Sequence, residues 1–262
     1  MKMKNYFFIL LTLLSLTATQ AQINSIQDFV IKNEELKMLT VRIAKNYIMT
    51  GVLPGNKKLQ KEYENDKNTF QETLVELTNN SPNDEIEIEL QKLGLSWMMM
   101  DRILSKKYDG AAALKVLNYS EKMVEEIDNI TNLVLESTKQ KSVRYLKASS
   151  DGRMLTQKLL LYYMANKVKL RDPNIPKSFE NTKTRLYDII KLLTEAAQND
   201  PNLKTDEGIQ LYIDMIKDGY GKVRKTLTLS SKVHPLTANL IINQLTENFD
   251  LLTNIIYEKF NG

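Results

Sequence analysis

The 262-residue sequence contains no cysteine and a single histidine, His234. Without cysteine, the chain can form no disulfide, thiolate zinc site or iron–sulfur cluster. One histidine excludes metal sites built from histidine clusters and catalysis by paired histidines. The sequence also lacks a Gly-rich phosphate loop and a nucleophile elbow. We therefore expect a protein that is not an enzyme and that holds neither a metal nor a cofactor.

Glycine and proline are scarce, with 9 and 6 residues, which disfavours loop-rich folds and all-β folds with many turns. All six prolines lie between segments with the 3.6-residue apolar periodicity of helices, and no segment alternates convincingly with period two. These patterns predict an all-α fold of two tandem antiparallel four-helix bundles. The predicted helices cover residues 25–50, 57–78, 84–107, 111–139, 143–170, 177–198, 205–230 and 235–260.

The first 21 residues have the pattern of a secretory signal peptide. Lys2 and Lys4 precede the apolar run 6–16, and Thr19 and Ala21 supply the small residues of a cleavage site. A retained membrane anchor is the alternative, although polar residues dilute the apolar run. We expect cleavage and bacterial export, to the periplasm or outside the cell, with no transmembrane span in the mature chain. The net charge of +4 is too small to indicate nucleic acid as a partner.

The sequence contains an internal repeat with an offset of 116 residues. The matched positions are Met38/Met154, Leu39/Leu155, Thr40/Thr156 and Tyr47/Tyr163. The repeat predicts one bundle over residues 22–138 and a second over residues 139–262. Residues 23–138 carry a net charge of −5 and residues 139–262 a net charge of +7, so the halves could attract each other or another chain. The fourth and fifth helices are predicted either to form one long continuous helix or to break near residues 149–152.

Each copy of the repeat places one cation in an apolar helix face, Lys37 in the first copy and Arg153 in the second. A buried cation is costly unless it is paired. The partner is either a bound anion or a carboxylate, with Glu34, Glu35 and Asp151 as the nearby candidates. An arginine is well shaped for bidentate contact with a planar oxyanion.

The string RMLTQK at residues 153–158 resembles the core motif of the PilJ/NarX-type sensor domain. That domain is the extracytoplasmic part of type IV pilus chemotaxis transducers and is related to nitrate and nitrite sensor kinases. The string KMLTVRIAK at residues 37–45 looks like a second copy, with lysine in place of the arginine and Val41 in place of the glutamine. The resemblance implies a four-helix bundle in each half. It also implies an anion bound where the first helix of one bundle meets the first helix of another. Carried over by position, the implied ligand-binding residues are Arg153, Thr156, Gln157, Lys37 and Thr40.

Two functions remain as hypotheses. In the first, the chain is an exported, sensor-like module that binds a small inorganic anion, such as nitrate or nitrite, at a seam lined by the repeated motif. Its partner would be a membrane sensor or another copy of the chain. In the second, the chain is a structural or protein-interaction bundle that has lost ligand binding, and Arg153 pairs with an acidic side chain.

Overall fold

The computed structural model describes residue 23, residues 25–138 and residues 140–261; the predicted signal peptide lies outside the described residues. The described residues form nine α-helices and no strand, which confirms the predicted all-α class. The helices are α1 (Ile26–Val52), α2 (Lys57–Asn79), α3 (Asp84–Leu104), α4 (Gly110–Thr138), α5 (Lys141–Lys167), α6 (Ile175–Asn199), α7 (Pro201–Lys204), α8 (Glu207–Thr226) and α9 (Pro235–Asn261).

Polar caps and prolines explain where the helices begin. The side chains of Ser25, Asn56 and Asn83 each accept a hydrogen bond from a backbone N–H in the first turn of α1, α2 and α3. Proline lies in the first turn of α6, α7 and α9, where its missing N–H costs no helical hydrogen bond. The one-turn helix α7 was not predicted; Asp200 caps it, and α8 begins only after a second cap at Asp206.

The helices pack as two antiparallel bundles. In the first, α1 contacts α2 and α4, and α3 contacts α4 and α2. In the second, α5 contacts α6 and α9, and α8 contacts α9 and α6. Each bundle has up-down connectivity with short loops, as the periodicity and the prolines predicted.

Helices α1 and α5 form the seam between the bundles and make the most extensive helix–helix contact in the described part of the chain. They run parallel, because Gln27 contacts Gln140 near their first turns and Lys45 contacts Gln157 further along. Every residue of α5 from 148 to 165 is buried, as is every residue of α1 from 36 to 49 except Arg42. None of the helices in the described ranges is long and apolar enough to cross a bilayer.

The connection between the bundles differs from both predicted forms. Helix α4 ends at Thr138, and α5 begins at Lys141 after Gln140, whose backbone is extended. Because α4 runs antiparallel to α1 whereas α5 runs parallel to it, the chain must reverse direction here. One continuous helix cannot make that reversal, and residues 149–152 lie inside α5.

Candidate functional site

Lys37 lies at the centre of a buried ion network that joins three helices. Its Nζ contacts Glu34 on the same helix, Asp128 Oδ1 on α4 at 2.8 Å and Asp151 Oδ1 on α5 at 2.5 Å. Lys147 contacts the same two aspartates, at 3.0 Å to Asp128 Oδ1 and 2.9 Å to Asp151 Oδ2. The oxygens of the three carboxylates lie within 4.8 Å of one another, and the Lys37 ammonium is bonded to all three. Lys37 therefore has protein carboxylates as its partners.

The pKa values in this ion network follow from burial and pairing. Burial alone would lower the pKa of Lys37, but Glu34, Asp151 and Asp128 outweigh it and raise that pKa, so the ammonium stays charged. Burial opposes ionisation of Asp128 as well, and Lys37 and Lys147 lower its pKa overall. Burial raises the pKa of Glu34, the most deeply enclosed carboxyl group of the network. The network holds three carboxylates and two ammonium groups, so the opposite charges largely compensate one another.

Arg153 has an equivalent but simpler arrangement. Its Nη1 donates to Asp250 Oδ1 on α9 at 2.6 Å, while its buried Nε finds no acceptor among the described residues. Asp128 and Asp250 lie on the last helix of their respective bundles, so each motif cation pairs with an aspartate from the last helix of its own bundle, although the two aspartates are 122 rather than 116 residues apart. Lys37 and Arg153 have different carboxylate partners. Those of Lys37 include Asp151 on α5 of the second bundle, whereas Arg153 is paired with Asp250 of its own bundle.

The two motif threonines are turned toward their own helices. Thr40 donates to Leu36 O at 2.8 Å, and Thr156 donates to Gly152 O. Both side chains are fully buried. Such hydrogen bonds to the carbonyl four residues earlier satisfy the hydroxyl groups internally, so in this arrangement neither threonine points to a ligand.

Gln157 is the motif residue that reaches a cavity. Its Oε1 accepts from Lys45 Nζ at 3.1 Å, and its Nε2 donates to Asn243 Oδ1 at 3.1 Å and Thr246 Oγ1 at 3.0 Å. The cavity has a volume of about 280 Å³ and lies where α1 and α2 meet α5 and α9. We name it the seam cavity; its lining residues are Arg42, Lys45, Glu62, Asp66, Gln157, Asn243, Thr246, Glu247 and Asp250.

Lys45 is the unusual group of the seam cavity. It is 2% exposed, and its Nζ donates to two neutral amide oxygens, those of Gln157 and of Asn239 at 3.2 Å. Among the described residues, no carboxylate lies within ion-pair distance of Lys45. Burial first, and then the positive charge of Arg42, lower the pKa of Lys45 to about 8. Asp66 and Glu62 oppose this lowering only in part. Lys45 is thus a buried ammonium group without a direct ion-pair partner in the described part of the chain.

Unlike Lys45, two of the carboxylates that line the seam cavity have a partner of opposite charge. Asp66 is bound by Arg42 through Nε at 2.8 Å and through its terminal nitrogen, and Asn46 donates to it at 3.1 Å. Asp250 is bound by Arg153. Glu247 is exposed to solvent. The buried Asp66 and the partly exposed Asp250 are therefore each paired with an arginine, whereas the buried Lys45 ammonium has no ion-pair partner among the described residues.

Lys45 lies within the repeated motif, but the motif alone assigns it no role. The signal that could have identified it is the absence of a polar face on α1, because a lysine on a helix buried on every side must itself be buried. Its polar neighbours could not be foreseen, since Asn239 and Asn243 come from α9, nearly two hundred residues further along the chain.

No protein-family model, curated protein or solved structure matches this chain. The likeness to PilJ/NarX-type sensor domains therefore rests on the repeated motif alone.

Proposed function

We propose that this chain is an exported, non-enzymatic ligand-binding module that binds a small inorganic anion in the seam cavity. The observation that carries the proposal is the buried Lys45 ammonium, which lacks a carboxylate partner. Removing a charge from water is expensive unless an opposite charge compensates it. A bound anion would supply that compensation directly at the Lys45 ammonium.

The size of the seam cavity and the Lys45 ammonium favour a small oxyanion of low charge. The volume is about 280 Å³, and the partly buried Glu62 and the exposed Glu247 limit how much negative charge a ligand can bring. Near Lys45, the lining offers the amide nitrogen of Asn243, which can donate to a compact polar ligand; the Thr246 hydroxyl already donates to Ile242 O. A monovalent planar anion such as nitrate or nitrite fits these conditions better than a multivalent one.

The resemblance to sensor domains supports the same location. In that family the anion binds where two first helices meet, and the seam cavity opens beside α1 and α5, the first helices of the two bundles. The proposed contact lies two turns beyond the motif cation Lys37, at Lys45, because Lys37 and Arg153 already have carboxylate partners. A sensor-like role with a membrane sensor as partner remains part of this proposal.

Isothermal titration calorimetry with nitrate and nitrite at pH 7 tests the proposal. The variant Lys45→Met keeps the aliphatic stem and removes the charge, and we expect it to weaken binding at least about tenfold, the usual loss for a charge-assisted hydrogen bond. Lys115→Met is the matched control on the exposed face of α4 and should bind like the wild type. Arg153→Ala should also weaken binding, because it leaves the Asp250 carboxylate unpaired at the cavity wall.

Binding should also depend on pH in a defined direction. A lysine with a pKa of about 8 is mostly protonated at pH 7 and mostly neutral at pH 9. Anion affinity should therefore fall as the pH rises through about 8. Absence of binding by the wild type, or equal affinity at pH 7 and pH 9, contradicts the proposal.

A structural or protein-interaction bundle is the second candidate. It is favoured by the Arg153–Asp250 ion pair, since Arg153 was the residue whose pairing distinguished the two hypotheses. Several large apolar side chains on the outer helices are exposed, among them Leu95 at 62% and Leu240 at 68%. If neither anion binds and a double variant, Leu95→Lys with Leu240→Lys, abolishes capture of a partner, this second function replaces the first.

A further inference from the structure

A second cavity lies at the end of the first bundle, where α1 ends, α2 begins and residues 105–109 leave α3. Its volume is about 610 Å³, and it shares no lining residue with the seam cavity. Three tyrosines line it, with the Tyr47 ring centroid 6.5 Å from that of Tyr63 and 5.7 Å from that of Tyr108. We name it the tyrosine cavity.

Tyr47 forms the deep wall of the tyrosine cavity. Its side chain is only 2% exposed, yet its hydroxyl group finds no acceptor among the described residues. A buried hydroxyl group without an acceptor costs free energy, so the position is suited to a ligand that brings one.

The second bundle supplies an internal comparison, because Tyr163 occupies the position of Tyr47 in the repeat. Tyr163 donates to Val233 O at 2.7 Å in the loop between α8 and α9. The position equivalent to Gly51 is Lys167, whose Nζ lies 5.0 Å from the Tyr163 ring centroid and donates to Ser231 O at 2.6 Å. A loop carbonyl thus accepts the Tyr163 hydroxyl proton, and Lys167 covers the Tyr163 ring.

The first bundle differs at each of these points. Gly51 leaves room for the Tyr108 ring, since a Cβ there would lie 2.2 Å from Tyr108 Cζ. The segment 105–109 gives Tyr47 no acceptor, and open space remains between Tyr47 and the exposed Lys106 and Lys107. The same fold therefore encloses its tyrosine in one copy and leaves it facing a cavity in the other.

We propose that the tyrosine cavity binds a small aromatic acid that carries an oxygen opposite its carboxylate. The aromatic ring lies against the faces of Tyr63 and Tyr108, where offset stacking is favourable. The inner oxygen accepts the Tyr47 hydroxyl proton, and the carboxylate lies at the rim beside Lys106 and Lys107. Glu64 also lines the cavity, and its carboxylate contacts Lys67 at 3.7 Å, whereas Lys106 and Lys107 have no ion-pair partner among the described residues.

Three probes separate these contacts in calorimetric titrations of the full chain: para-hydroxybenzoate, benzoate and para-hydroxybenzyl alcohol. Para-hydroxybenzoate should bind most tightly, since benzoate lacks the inner oxygen and the alcohol lacks the negative charge. Tyr47→Phe keeps the ring and should weaken para-hydroxybenzoate binding about 3- to 10-fold while leaving benzoate binding unchanged. Lys106→Gln combined with Lys107→Gln should weaken both acids and leave the alcohol unchanged.

Tyr163→Phe is the matched control, because it makes the same chemical change at the equivalent position of the closed copy. It should lower the melting temperature and leave the affinity for para-hydroxybenzoate unchanged, whereas Tyr47→Phe should leave the melting temperature of the unliganded protein close to that of the wild type. The proposal is wrong if para-hydroxybenzoate shows no binding up to about 10 mM, or if Tyr47→Phe and Tyr163→Phe affect its affinity equally.

Discussion

Lys37 and Lys45 lie two turns apart on α1 and are both buried, but their ammonium groups have opposite electrostatic surroundings. Lys37 is bonded to carboxylates from three helices, whereas Lys45 is bonded to two neutral amide oxygens. The first arrangement raises the pKa of the lysine and the second lowers it. The two residues should therefore respond in opposite ways to substitution and to pH.

The stability of the protein should rise with pH on account of Lys45. Its pKa is about 8 in the folded chain and about 10.4 in an unfolded one. Between these values the unfolded state binds more protons, so the free energy of unfolding increases with pH. Relative to Lys45→Met, the wild type should gain about 2 kcal/mol between pH 7.5 and 9.5, measured by urea denaturation. Parallel curves for the two proteins would contradict the lowered pKa.

Substitution of Lys37 should be strongly destabilising. Lys37→Met removes the cation and leaves Glu34, Asp128 and Asp151 close together with only Lys147 to compensate them. Breaking a buried ion network in this way costs about 3–5 kcal/mol. Lys115→Met, an exposed change of the same kind, should alter the free energy of unfolding by less than about 0.5 kcal/mol. Equal effects of the two substitutions in urea denaturation would show that the network contributes nothing.

The sequence predicted some of the carboxylate partners of Lys37. The apolar surroundings of Lys37 indicated that it needed a partner, and two of the candidate carboxylates, Glu34 and Asp151, do contact it. Asp128 was not foreseen because it lies 91 residues away on α4. Periodicity assigns a residue to a face of its own helix, but it does not give the rotation of the neighbouring helices, and that rotation decides which acids reach the ammonium group.

At the level of helices, the periodic pattern and the prolines were sufficient to predict eight of the nine described helices, with ends displaced by a few residues. The exceptions lie where the chain changes direction. The reversal between Thr138 and Lys141 involves neither proline nor glycine, so no local signal marks it. It is imposed by the packing of α5 beside α1, a tertiary interaction that overrides the helical propensity of the segment.

The close approach of α5 and α9 depends on Gly152. A Cβ at this position would lie 2.2 Å from Cε1 of the Phe249 ring, so the two helices cannot keep their spacing if the residue is larger. We expect Gly152→Ala to destabilise the protein by about 1–3 kcal/mol through overpacking. The matched control is Gly221→Ala in α8, where a Cβ meets nothing within 4 Å and should stabilise the helix by up to about 1 kcal/mol. Urea denaturation of both variants measures the difference, and the same sign for both would contradict this packing argument.

At the level of the whole molecule, α1 and α5 belong to their own bundles and also form the contact between them. Each is buried on nearly all sides because half of its surface packs within its bundle and the other half against the other first helix. Neither bundle can therefore lose its first helix without exposing an apolar face of the other. The predicted division into two sequence repeats does not by itself imply two independent folding units.

We accordingly expect the chain to unfold in one cooperative transition. Differential scanning calorimetry should give a calorimetric enthalpy equal to the van't Hoff enthalpy, which is the test for two-state behaviour. Lys37→Met should shift the whole transition to lower temperature, since the ion network joins α1 and α4 of one bundle to α5 of the other. Two resolved transitions, with only one of them sensitive to this substitution, would show that the bundles unfold separately.

The parallel pairing of α1 and α5 has a consequence for how the seam cavity would work at low protein concentration. Both helices belong to one polypeptide, so their local concentration is set by the connecting chain and does not fall on dilution. A site assembled by two separate subunits loses its ligand when the subunits dissociate. A site inside one chain keeps its geometry at any dilution. The two helices that form it can also differ in sequence: the position of Lys45 on α1 is Leu161 on α5, and the position of Gln157 on α5 is Val41 on α1. At a given pH, the affinity of such a site for its ligand would not change with the protein concentration.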